Sequence, residues 1–209
     1  MRVYEIFRSI QGETSQVGRP MWFVRLAGCD LECSYCDTPA ARDRRAGRDM
    51  TIEEVLAATA GPPRGWCMIT GGEPLLQLEA VNALVAALAG RGDQVLVETS
   101  GAHPTDRLHA AARRIVDVKT PASGMHGRMH RPNLARLRPQ DEVKFVLTGR
   151  ADYDWAKRFL ADRGGLAPAT VLFGPAHPAL DPKDLARWLV EDGLPVRLNL
   201  QVHRILGLP

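Results

Sequence analysis

The sequence predicts an α/β chain with a mostly parallel sheet, arranged as an open or incomplete (β/α) barrel. Two observations lead there. Short β-rich apolar runs alternate with segments of helical period along the chain, the pattern of βα units whose strands are buried on both faces. A complete eight-unit barrel typically needs about 250 residues, and 209 residues supply fewer units than that.

YEIFRSIQGE, near the N-terminus, reads as a β-turn or small hairpin ahead of the first strand, MWFVRLA (21–27). A loop containing three cysteines follows. TIEEVLAATA (51–60) opens with Thr51 and has Glu54 three residues on, the signature of a capping box, so a helix starts there. CMIT (67–70) is a strand. After the turn GGE, apolar residues Leu78, Val81, Leu84, Val85 and Leu88 recur at helical spacing, with Pro74 at the tolerated first position and Gly90 at the end. QVLVET (94–99) is a strand, and a helix over 105–114 leads to the strand IVDV (115–118). EVKFVL (142–147) leads into a helix over 151–163. ATVLF (169–173) precedes a helix capped by Asp181 with Pro182 in its first turn. VRLNLQV (196–202) is the last strand. No repeat, low-complexity tract or linker divides the chain, so residues 1–209 are expected to form one domain.

Composition narrows the function. The net charge of +3, from 27 basic and 24 acidic residues, is too balanced to indicate nucleic-acid binding. Arg42, Arg44, Arg45 and Arg48, and the segment HGRMHRPNLARLR, read as solvated basic surface. No apolar run approaches the roughly 20 residues of a membrane span, and MRVYEIFRSI lacks the apolar core of a secretory signal. A cytoplasmic location is expected, where thiols stay reduced and close cysteines serve metals or catalysis.

In open α/β sheets and barrels the reactive rim lies where strands end. Thr70-Gly71-Gly72-Glu73, Glu98-Thr99-Ser100-Gly101, Asp117-Val118-Lys119 and Gln201-Val202-His203 all fall at predicted strand ends. They would converge on one rim facing Cys29, Cys33 and Cys36. Three thiols suit a structural zinc only if Cys67 supplies a fourth ligand. A CxxC redox pair leaves Cys29 idle. A cubane 4Fe–4S cluster uses three thiolates and keeps one iron open for a chelating ligand.

The spacing CDLECSYC resembles CxxxCxxC of the radical S-adenosylmethionine (SAM) superfamily, and ITGGEP resembles its GGEP motif. The resemblance implies that Cys29, Cys33 and Cys36 hold the cluster while the amino and carboxylate groups of SAM take the open iron. Cleavage of SAM then yields a 5′-deoxyadenosyl radical. EIFRSIQGE, VRLAGCDLECSYCDT, VETSG, VKTPASGM and LNLQVHRILGLP extend the similarity along the chain to the 7-carboxy-7-deazaguanine synthases. That family converts 6-carboxy-5,6,7,8-tetrahydropterin to 7-carboxy-7-deazaguanine with loss of ammonia, in queuosine and 7-deazapurine biosynthesis.

The resemblance further implies an incomplete barrel of the radical SAM type, magnesium, an external one-electron reductant and a homodimer. Carried over by position, Ile10, Gln11, Gly12, Glu13, Arg25, Thr99 and Pro209 would bind the pterin, with Arg25 on its carboxylate. Tyr35, Cys36, Asp37, Gly72, Glu73 and Gly101 would border SAM, as would Asp117, Val118, Lys119, Gly174 and Pro175. Thr38 would meet magnesium. The chain departs from the usual family pattern in QGET for QGEG, DVK for SPK, and the loop FGPAH. A glycyl-radical activating enzyme and a zinc-stabilised RNA-binding module are the alternatives.

Overall fold

The computed structural model describes residues 1–209. Its single nine-stranded sheet runs in the order β3-β1-β2-β4-β5-β6-β7-β8-β9. β1 (Arg2–Ile10) pairs antiparallel with β2 (Pro20–Leu26) and with the short β3 (Arg48–Asp49). From β2 onward, through β4 (Trp66–Gly71), β5 (Gln94–Thr99), β6 (Ala112–Asp117), β7 (Glu142–Leu147), β8 (Thr170–Pro175) and β9 (Arg197–Leu198), every pairing is parallel. The sheet does not close on itself.

Alternation along the strands decides what each face holds. Cys67 and Ile69, Val95 and Val97, and Val24 and Leu26 turn to one face, where α1 (Ile52–Ala58) and α2 (Leu78–Gly90) add Val55, Val81, Leu84, Val85 and Leu88. The pairings Val116↔Val143 and Val143↔Val171 carry this face across the sheet. There Val143, Phe145, Leu147 and Phe173 meet α3 (Arg150–Ala161) and α4 (Pro182–Asp192). Helices α1 to α4 thus cover the same face, the arrangement of a rolled barrel rather than a doubly wound sheet. The other face holds a smaller cluster of Met21, Phe23, Met68, Leu96 and Ile115, and is polar beyond it toward the strand ends.

α1 begins where the sequence places it: Thr51 Oγ1 accepts from the Glu54 amide (3.2 Å) and the Glu54 carboxylate from the Thr51 amide (2.7 Å). Pro74–Gln77 form a 3-10 turn leading into α2.

Three expectations fail. Residues 2–10 form a full strand instead of a turn or small hairpin segment. The helix predicted over 105–114 is absent, because Asn82 from α2 takes its backbone: Oδ1 accepts from the His109 amide (2.7 Å) and Nδ2 donates to the Arg107 carbonyl (2.9 Å). Finally, 196–202 is a strand only at Arg197–Leu198. Asn199 keeps its amide on the Phe173 carbonyl of β8 (2.8 Å) while its Oδ1 accepts from the Thr14 amide (2.8 Å), and α5 (Val202–Ile205) begins with its Val202 amide on the Gly12 carbonyl (2.9 Å).

No helix is long and apolar enough to cross a membrane. The basic segments are largely paired: Arg42 with Glu32, Arg45 with Asp43, Arg128 with Asp30 and Arg136 with Asp106.

Candidate active site

The polar ends of the second face come from alternation too. Two residues further along β2, β4, β5 and β6 from the apolar cluster stand Arg25, Thr70, Glu98 and Asp117, and with Lys144 of β7 they line a cavity of about 460 Å³ at the C-terminal ends of the parallel strands. Register places them side by side, with Arg25 opposite Thr70 and Asp117 opposite Lys144.

The cysteine loop forms the opposing wall, and Cys29, Cys33 and Cys36 all line the cavity. The loop is held by its backbone: the Gly28 amide donates to the Ala41 carbonyl (2.8 Å) and the Cys29 amide to the Arg42 carbonyl (3.0 Å). From the far side, the Ser34 amide reaches the Ser123 carbonyl (3.1 Å) and its hydroxyl the Ala122 carbonyl (2.7 Å). The Gly72 amide binds the Leu26 carbonyl (3.0 Å) and the Glu73 amide the Gly28 carbonyl (2.8 Å). A Cβ at Gly72 would lie 2.1 Å from the Gly28 carbonyl oxygen, so only glycine fits between turn and loop.

Cys67 is not with the others. It is fully buried among the apolar side chains of the helix-covered face, and burial pushes its thiol up to about 12. It supplies no fourth ligand, and no three His, Cys, Asp or Glu side chains are placed to hold a single metal ion, which leaves a zinc centre without a ligand set. Three half-buried thiols in one cavity have instead the chemistry and number that a cubane with one open iron would need. Burial raises the thiol pKa of Cys29 and of Cys33. Two orphaned polar atoms, the Tyr35 hydroxyl and Asp117 Oδ1, are buried without a hydrogen-bond partner, and both residues line the cavity. Such groups call for a ligand. Asp117 Oδ2 holds Lys119 Nζ at 2.6 Å, and that ammonium sits 5.9 Å from the Tyr35 ring centroid. Burial, followed by the Asp117 charge, raises the Tyr35 phenol to about 12.

A second space of about 70 Å³ adjoins the first and shares Glu13, Arg25, Asp37, Thr70 and Glu98 with it. Ile10, Gln11 and Gly12 line it from the end of β1, and His203 and Pro209 from the C-terminal segment. Gln11 is buried, its Nε2 2.9 Å from Met68 Sδ and its Oε1 accepting from the Glu13 amide (3.0 Å). A Cβ on Gly12 would strike His203 Nδ1 at 1.8 Å. Burial lowers the His203 pKa.

Arg25 spends part of its fork inside the protein. Nε donates to Glu5 (2.8 Å) and Nη1 to Thr38 Oγ1 (3.0 Å), while Thr38 donates to Asp37 (3.1 Å). The remaining N–H groups are free for an anion. Thr99 lines the larger cavity, yet its hydroxyl donates to Glu73 (2.8 Å).

Several positions named from the sequence stand behind the wall. Glu73 is buried and fully engaged by Leu75, Thr99 and Ser100, tying the end of β4 to that of β5. Gly101 has φ +75°, and a Cβ there would crowd the Asp117 carbonyl at 2.9 Å. Val118 belongs to the core. Gly174 and Pro175 are buried strand residues, and their neighbours Ala176 and His177 reach the cavity instead. Lys144 is the residue that sequence reasoning missed. Its signal was a lone cation inside EVKFVL, a strand expected to be buried on both faces.

The Radical SAM superfamily pattern matches residues 24–147. The 7-carboxy-7-deazaguanine synthase of Koribacter versatilis is 41% identical, over 100% of this chain and 98% of its own length. That of Chlorobaculum tepidum is 42% identical over 100% and 95%. The crystal structure of QueE from Escherichia coli superposes with a TM-score of 0.78, covering 97% of this chain and 94% of its own at 24% identity, a likeness of fold.

Proposed function

Because the chain belongs to the radical SAM superfamily and, within it, to the 7-carboxy-7-deazaguanine synthases, we propose that it converts 6-carboxy-5,6,7,8-tetrahydropterin to 7-carboxy-7-deazaguanine with release of ammonia. Membership brings a 4Fe–4S cluster and SAM, which when bound supply a 5′-deoxyadenosyl radical to take hydrogen from the substrate. One observation carries the assignment of the site: the cavity has three thiols on one wall and, on the other, the cation Arg25 beside the carboxylates of Glu13 and Glu98. A substrate with a carboxylate at one end and ring N–H and amino groups at the other matches that distribution of charge.

In this reading Cys29, Cys33 and Cys36 hold the cluster. Tyr35, Asp37, Asp117 and Lys119 border SAM, and Gly72 lets the backbone approach it. Glu73, Gly101, Val118, Gly174 and Pro175 shape that wall from behind. Arg25 orients the pterin carboxylate with its free N–H groups, Glu13 accepts from the pterin, and Thr99 flanks it. Ile10, Gln11, Gly12 and Pro209 enclose the ring. Magnesium would use Thr38, whose hydroxyl already faces Arg25 and Asp37, and would steady the substrate carboxylate. The enzyme acts as one domain, as a homodimer, with electrons from an external donor.

The test is anaerobic reconstitution with iron and sulfide, then incubation with SAM, reductant, magnesium and the carboxytetrahydropterin. 7-Carboxy-7-deazaguanine is the expected product; 5′-deoxyadenosine formed without it rejects the substrate. Arg25→Ala should leave iron content unchanged and lower kcat/KM by about 100-fold, the scale of a lost charge-assisted contact of about 3 kcal/mol. Unchanged turnover in that variant refutes the carboxylate role.

A further inference from the structure

Arg114 and Lys144 are the buried cations of the molecule. Arg114 is answered by Asp141 at 2.5 Å, away from the cavity. Lys144 faces the cavity and has two carboxylates. Its Nζ donates to Glu13 Oε2 at 2.9 Å and also to Glu98 Oε1. Both acids are fixed from other directions. Glu13 accepts from Gln201 Nε2 (2.9 Å) and Asn199 Nδ2 (3.4 Å), and Glu98 accepts from the Thr70 hydroxyl (3.0 Å).

A buried ion pair adds little to stability by itself, because desolvation offsets the attraction. Stability alone would need one carboxylate per ammonium. The pocket keeps two, leaving a surplus negative charge on a wall that lines both cavities. Fixed, surplus acceptors at a cavity wall suit a ligand that brings donors.

We propose that Lys144 is a positioning residue: standing between Glu13 and Glu98, it holds both carboxylates aimed at the N–H and amino edge of the heterocycle that binds beside Arg25. The inference rests on the pterin reading above. Electrostatics agree with the geometry. Burial raises the Glu13 carboxyl, but the Lys144 ammonium and the Gln201 amide outweigh it and hold the group below the usual range. Burial opposes charge on Lys144 as well, and Glu13, Glu98 and Asp117 overcome it. The other charged or titratable groups facing this set are Arg25, Asp37 and His203. With Lys144 gone, Glu13 would lose the only cation bonded to it, and burial and Asp37 would raise its pKa.

The probe is 6-carboxypterin, a stable oxidised pterin, titrated by its fluorescence into the reconstituted, SAM-bound enzyme between about pH 6 and pH 9. Wild type and Lys144→Arg should bind with affinity flat over this range. Lys144→Met should bind about tenfold or more weakly at the acidic end than at the basic end. A flat profile for Lys144→Met overturns the proposal. Should Lys144→Met not fold, Lys144→Met/Glu98→Gln removes an acid with the cation and should show the same acidic loss. If wild type binds no carboxypterin at any pH, the pterin reading falls. Carbon-13 NMR of labelled glutamate carboxyls then decides separately. Glu13 should titrate within this range in Lys144→Met and not in wild type; identical titrations overturn the role of Lys144.

Discussion

Thr14 sits at φ +63°, in the left-handed region that a β-branched side chain rarely adopts. Its amide is bound to Asn199 Oδ1 (2.8 Å) and its hydroxyl accepts from the Gln16 amide (3.1 Å), so the turn after Glu13 forces the angle. Thr14→Gly should relieve about 1–2 kcal/mol of strain against about 0.5–1 kcal/mol from a freer unfolded chain. A net gain of roughly 0.5–1 kcal/mol in urea unfolding is expected; a loss of stability would mean that the hydroxyl contact outweighs the strain. The departure QGET was visible in the sequence, but not that it fell on a positive φ. The cysteines were legible because their chemistry is set by local spacing. Glu73 was legible only as a residue type: near a ligand loop it reads as an acceptor for the ligand, whereas Leu75, Thr99 and Ser100 occupy its oxygens. Which way a side chain turns depends on neighbours distant in sequence.

β6 and β7 are joined by a buried ionic knot. Asp141, with no exposed surface, accepts from the Arg114 amide (3.0 Å), from Arg114 Nη2 (2.5 Å) and from Arg138 Nη2 (2.8 Å). Burial pushes the Asp141 carboxyl up, but Arg138 and Arg114 outweigh it and hold it below the usual range. A depressed carboxyl stabilises the fold above the unfolded value of about 4, and that contribution is lost as pH falls through the folded value. Asp141→Asn should cost about 3 kcal/mol at neutral pH by leaving Arg114 buried without its counter-charge. Urea midpoints of wild type and variant should converge below about pH 4; a gap independent of pH would reject the charge as the cause. This knot also explains part of what the sequence hid. The stretch 105–114 has helical composition, but its last residues belong to β6 and Arg114 is anchored to Asp141. Boundaries of α1, β5, β7 and α4 were readable because capping residues or β-rich runs mark them locally.

At the scale of the molecule, one sheet with all four long helices on one face leaves the other face free for chemistry. Arg25, Thr70, Glu98, Asp117 and Lys144 reach it by alternation alone. The smaller space, in contrast, is completed by segments outside the parallel strands: residues 10–13, and the C-terminal segment through Gln201, His203 and Pro209. Removing residues 203–209 should therefore spare iron content and SAM binding while abolishing binding of 6-carboxypterin. Loss of the cluster in the truncated chain would show that the two regions are not separable in this way. The pairing of Gly12 with Val202 and of Glu13 with Gln201 has a further consequence during synthesis. A ribosome releases residues 10–13 long before residues 199–203, which complete this pocket. The cysteine loop and its partners up to Ser123 emerge well before then, so a nascent chain can meet iron before it can meet substrate. Contacts between such distant segments also form slowly, so this pocket closes after the cysteine loop has its partners.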